Sequence, residues 1–108
     1  MSSIKVKARL SDGVTRLKIL IDHPMHTGRQ RDAVTGSIIP AHYIERLTVA
    51  HNGHVVIDGQ LSTAVSRHPH LSFELRGALA GDSITVSWQD NLGRNDRQEV
   101  RVQTAASE

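Results

Sequence analysis

"YIERLTVAHNGHVVIDGQL", from Tyr43 to Leu61, consists of two apolar runs split by Asn52 and Gly53. That dipeptide accepts the positive φ angles of a two-residue hairpin turn, so the segment predicts two antiparallel strands in fixed register. The same period of two recurs on either side. Upstream, "IKVKARL" sets Ile4, Val6, Ala8 and Leu10 against Lys5, Lys7 and Arg9, and "TRLKILI" turns Leu17, Ile19 and Ile21 inward, with Ser11 to Gly13 making the turn between them. Downstream, "LSFELRG" offers Leu71, Phe73 and Leu75, "DSITVSWQD" offers Ile84, Val86 and Trp88, and "RQEVRVQ" offers Val100 and Val102. The segment Ser62 to His70 lacks alternation and is expected to cross between sheets, and the tail "TAASE" is expected to fray. About seven short antiparallel strands with regular turn signals and no helical period predict an all-β, immunoglobulin-like β-sandwich, with a small β-barrel as the alternative.

A chain of 108 residues makes one domain, 1–108, with a core of its own. Tyr43, Phe73 and Trp88 are its whole aromatic complement, so the core must be aliphatic, with Trp88 packed into it. Gly13, Gly53, Gly81 and Gly93 read as turn residues and Gly59 as a bulge or strand end. The net charge is +2, and Arg9, Arg16, Arg46, Arg67, Arg76, Arg94 and Arg101 fall in different expected elements without a basic run or aromatic interleaving, which argues against nucleic acid. The absence of cysteine excludes disulfides, thiolate metal sites and covalent thiol chemistry by this chain. No apolar run reaches the length of a signal peptide or a membrane span, so the chain alone is expected to stay in the cytoplasm unless another protein carries it out.

Six of the seven histidines come as close pairs. His51 and His54 flank the hairpin turn and face each other, where two imidazoles can hold Zn or Cu if folding brings in an acid such as Asp58. His23, Met25 and His26 offer imidazole and thioether, which suit copper, but Pro24 stiffens this stretch without turning both side chains inward. His68 precedes Pro69 and is expected to be extended at a strand entrance. These two pairs therefore read as loop histidines, and neither a metal nor a cofactor is expected, with a histidine-dependent metal-binding module kept as the alternative. No "GxSxG" elbow, "HExxH" helix or glycine-rich phosphate cradle is present, so no catalytic residue is assigned.

The long stretch "HPMHTGRQRDAVTGSIIP", His23 to Pro40, is expected to be a binding loop or to carry local structure of its own. Arg29, Arg31 and Asp32, beside Gly28, suit a small oxyanion or the carboxylates of a partner segment. Gly28 and Gly36 are expected to turn the chain, and Ile38 or Ile39 to anchor it to the core.

Taken together, "HPMHTGRQRD", "GSIIPAHYI", the Asn-Gly hairpin with "VVID" after it, "STAVSRHPHLSFEL" and "ITVSWQDNLG" resemble the SoxZ family from Val14 to Val102. The resemblance implies an immunoglobulin-like sandwich and a non-catalytic role in thiosulfate oxidation. It implies a heterodimer with SoxY, which carries pathway intermediates on a cysteine near its carboxyl terminus, and a part for this chain in helping present that loaded arm to the other Sox enzymes. It also implies a periplasmic destination, reached as a passenger on a SoxY-like partner that bears the export signal. The partner-binding residues it points to are His23, Pro24, Met25, Thr27, Gly28, Arg29, Arg31 and Asp32, with Gly36, Ile39 and Pro40 also matching the family's loop. No nucleic acid or membrane partner is implied, and the isolated chain is expected to self-associate through its unpaired surface.

Overall fold

The computed structural model describes residues 2–104. Asn52 and Gly53 adopt φ angles of 49° and 84°, the pair of left-handed conformations that a two-residue hairpin turn requires. They join β3 (Ile44–His51) to β4 (His54–Gln60), with His51 directly opposite His54. The other strands are β1 (Ile4–Ser11), β2 (Val14–Ile21), β5 (His70–Arg76), β6 (Ser83–Asp90), β7 (Asn95–Arg101) and β8 (Gln103–Thr104). They form two four-stranded sheets, ordered β5-β2-β1-β8 and β4-β3-β6-β7. The described chain is an all-β sandwich without helix.

Alternation builds the core. Leu17, Ile19 and Ile21 of β2 meet Ile44, Leu47 and Val49 of β3 and Ile84, Val86 and Trp88 of β6, all buried. Trp88 closes one end, and its indole Nε1 donates to Ser3 Oγ at 3.0 Å. Residues 61–69 cross from one sheet to the other, as their lack of alternation indicates.

Four details differ from the sequence reading. An eighth strand, β8, pairs in parallel with β1, Arg9 standing opposite Gln103. Buried Val102 pins the chain there as it leaves β7, and two residues are too few to show a period. Thr104 of "TAASE" is thus in a strand, while the rest of that tail lies outside the described residues. A bulge falls between Val49 and Ala50 of β3, where Val55 and Ile57 take consecutive partners and Val56 is extra, while Gly59 stands beside the end of β4, the second of the two readings given for it. His68 is not extended: its φ is 54°, its amide donates to the His23 carbonyl at 2.9 Å, and its Nδ1 lies 3.0 Å from Asp22. Finally, the basic residues are not all dispersed, because the β1–β2 register sets Lys7 opposite Lys18 and Arg9 opposite Arg16.

Candidate functional site

The inward period of β2 does not stop at Ile21. His23 and Met25 continue it, both buried, with 2% and 3% exposure. Met25 reaches the core by taking a φ of 50°, and its Sδ accepts from the Ile44 amide at 3.3 Å. Pro24 therefore does not keep the two side chains apart from the interior. The extra reversal at Met25 turns both of them in.

The period of β6 likewise runs past Trp88 to Asp90, a carboxyl with no exposure at all. Its Oδ2 accepts from His23 Nε2 at 3.1 Å and from His42 Nε2 at 2.7 Å. Its Oδ1 accepts from the amides of Leu92 and Arg94 at 3.0 and 2.9 Å. Burial pushes this carboxyl up, but the two imidazoles and then the two amides outweigh burial and hold it below the ordinary carboxylate range. For His23 burial dominates and lowers its pKa, opposed by the bond to Asp90 and reinforced by the neighbouring charges of His42 and His26. Asn91 ties the same corner to the other side of the loop, its Nδ2 donating to the Ala41 carbonyl and its Oδ1 accepting from the Tyr43 amide, each at 2.8 Å.

His23, His42 and Asp90 have donor atoms within 4.8 Å of one another, a spacing that a metal ion can use. The protons argue otherwise. The Met25 amide donates to His23 Nδ1 at 3.1 Å, so the proton of the neutral ring sits on Nε2 and points at Asp90. A metal at Nε2 would need that proton removed and Nδ1 protonated against an incoming N–H. The trio is a hydrogen-bonded knot instead. Among the described residues no hydroxyl or thiol hydrogen-bonds to it.

The knot fastens the base of a finger. Antiparallel bonds between His26 and His42, 2.7 and 3.0 Å, close its stem. Gly28 follows at φ 84°, a conformation that favours glycine, and a Cβ there would also crowd that of Ala41 at 3.2 Å. Gln30 receives the Ile39 amide and Asp32 donates to Ser37, each at 2.8 Å, and Arg31 pairs with Ile38. At the tip, Asp32 Oδ1 accepts from the Val34 and Thr35 amides at 2.8 and 3.0 Å, while Arg31 Nη1 donates to the Gly36 carbonyl at 2.9 Å. The bonds from Thr35, then Val34, lower the pKa of Asp32. The loop is thus a small preorganised hairpin, and its tip exposes Val34 at 93% and Ile38 at 55%. Ile39 is half-buried and is the anchor of the two isoleucines.

A family model described as "Sulphur oxidation protein SoxZ" matches residues 4–101. The chain belongs to the SoxZ family. No curated protein matches it. Membership ties the chain to sulfur oxidation, in a family of generally non-catalytic subunits of a Sox pathway complex.

Within the SoxZ-like loop the residues singled out from sequence fall into two groups. His23 and Met25 face the core, and their side chains hold the loop from beneath. Arg29, Arg31 and Asp32 are exposed and Pro24, Thr27 and Gly28 half-buried. A groove of about 400 Å³ opens between Pro24, His26 and Thr27 and the crossing residues Thr63–Arg67. Asp32 Oδ1 and one Nη1 N–H of Arg31 are used within the finger, which leaves the other guanidinium N–H groups of Arg31 and Asp32 Oδ2 to face solvent. The hairpin histidines part company: His51 Nε2 lies 2.8 Å from Asp82, His54 is exposed, and Asp58, offered above as a third ligand, is paired with Arg46 at 2.6 Å.

His42, Asp90 and Asn91 escaped the sequence reading. A signal for the first two existed: each lies two residues beyond the last apolar inward position of its strand, His42 before Ile44 and Asp90 after Trp88. Extending the period over polar residues would have found them.

Proposed function

We propose that this chain is the pairing subunit of a SoxYZ-type sulfur carrier. It binds a cysteine-bearing SoxY-like protein and helps present that protein's sulfur-loaded arm to the enzymes of thiosulfate oxidation. The finger is the observation that carries this reading. A loop held by its own hydrogen bonds and knotted to the core at its base has already met its ordering cost, and it offers two large apolar side chains to solvent at its tip. Val34 and Ile38 are anchors for a partner surface, rimmed by Arg29, Arg31 and Asp32. Pro24, Thr27 and Gly28 line the stem beside the groove.

The chain has no cysteine on which to carry an intermediate, and no hydroxyl or thiol among the described residues hydrogen-bonds to the His23–Asp90–His42 knot. Its part is binding, and the covalent chemistry belongs to the partner. On this reading it works in the periplasm, reached in complex with an exported carrier.

Co-expression with the SoxY-like protein of the same organism, followed by size-exclusion chromatography, tests the pairing. The two chains are expected to co-elute as a heterodimer at micromolar concentration. Separate elution would overturn the proposal.

A further inference from the structure

Lys7 stands directly across from Lys18, and Arg9 across from Arg16, on the solvent face of the β1–β2 hairpin. Like charges in directly opposed positions repel and destabilise a sheet. Lys5 continues the row along β1, and Arg76 of β5 joins it opposite Val14. Among the described residues the carboxylates on this face are Glu74, 3.9 Å from Arg16 with both side chains largely exposed, and Asp22, which borders Lys5 and Leu20 where β2 ends. Charge nearly cancels over the whole sequence, but not here: among the described residues six cations meet two acids on this face, and the other seven meet eight elsewhere. The core asks only that these positions point outward, so nothing in the fold calls for a single sign of charge.

We infer that the solvent face of the β5-β2-β1 sheet is a docking surface for an acidic polypeptide segment of a partner protein. An extended segment projects its side chains to one side every second residue, about 6.8 Å apart, which is the interval separating Lys5, Lys7 and Arg9 along β1. Two shallow cavities between the cationic rows, of about 380 and 260 Å³, leave room for carboxylates. The first lies among Lys7, Arg9, Arg16 and Lys18, and the second is bordered by Lys5 and His70. Single-stranded nucleic acid fits this face less well, because it needs aromatic platforms for its bases, whereas Phe73 and Tyr43 pack against the core and Trp88 is buried in it. A membrane surface needs apolar side chains to insert, and Leu20 is the one large exposed apolar residue on the face among the described residues. None of these residues belongs to the finger, so this inference stands or falls apart from the carrier-docking proposal.

Isothermal titration of the full chain tests it, using a peptide with Glu at alternate positions and the same peptide with Gln there. A single-stranded oligonucleotide and vesicles containing an anionic phospholipid are titrated in parallel. The Glu peptide is expected to bind and the Gln peptide not, with the affinity falling about tenfold or more as salt shortens the Debye length from about 30 to about 10 Å. Lys18→Glu should weaken peptide binding by about tenfold or more while raising the melting temperature of the free chain, because it replaces a repulsive cross-strand pair with an attractive one. Arg97→Glu, on the other sheet, should leave peptide affinity in place. The inference is overturned by failure of the Glu peptide to bind, by equal binding of the Gln peptide, by tighter binding of the oligonucleotide or vesicles, or by a Lys18→Glu chain of unchanged affinity or lower melting temperature.

Discussion

Asp90 is a buried carboxylate whose two oxygens accept four hydrogen bonds, and the two imidazoles it receives hold opposite sides of the loop base. Removing the acceptor strands one buried and one part-buried ring N–H together with two backbone amides, so Asp90→Ala should cost about 3 to 5 kcal/mol of stability, read as a lower urea midpoint. Acidity acts on the same knot. Because burial lowers the pKa of His23, the unfolded chain binds more protons than the folded one below about 6.5. That contribution is therefore complete above a free histidine's pKa and is lost as pH falls through the folded value. Asp90, whose pKa is also lowered, adds a second loss in the carboxylate range. Thermal melts across the acid range should show a falling Tm, and His23→Asn should flatten the upper part of that fall. None of this knot was named from sequence as a unit, because its members are 67 and 48 residues apart and only the strand period points all three inward.

At the scale of elements, the strands were legible because each has a wet face and a dry one, and "HNGH" fixed the register of β3 against β4. The finger was legible as an unusually long, charged loop with glycines, but not as a hairpin. Its order comes from polar backbone contacts such as those of Asp32 and Gln30, which leave no hydrophobic period to read. Gly28 is its tightest point. Gly28→Ala should cost about 1 to 3 kcal/mol, from the left-handed φ together with the approach to Ala41, and should loosen the stem. Amide hydrogen exchange at Thr27 to Ile39 is expected to speed up in that variant while β2 and β6 keep their protection. Unchanged exchange in the finger would contradict the account of how it is held.

For the whole molecule, the sequence reading set aside the basic residues as scattered, and pairing of β1 with β2 gathered several of them on one face. Charge distribution is a property of the folded surface, so counting along the chain missed it. The division of labour in the proposed complex also belongs to this scale. After loading by the pathway enzymes, intact-mass analysis should find added sulfur on the carrier and the unmodified mass on this chain, since it offers no thiol. The central claim is that the preorganised finger docks the chain to its carrier, and the affinity of the Val34→Glu/Ile38→Glu double variant for the purified SoxY-like protein, by isothermal titration, tests it most directly. Both side chains are exposed, so the variant should melt like the parent and its stability should change by no more than about 0.5 kcal/mol. Binding weakened by about 2 kcal/mol or more is the predicted result, as expected for apolar anchors at an interface centre. A double variant that binds the carrier as tightly as the parent would contradict the account.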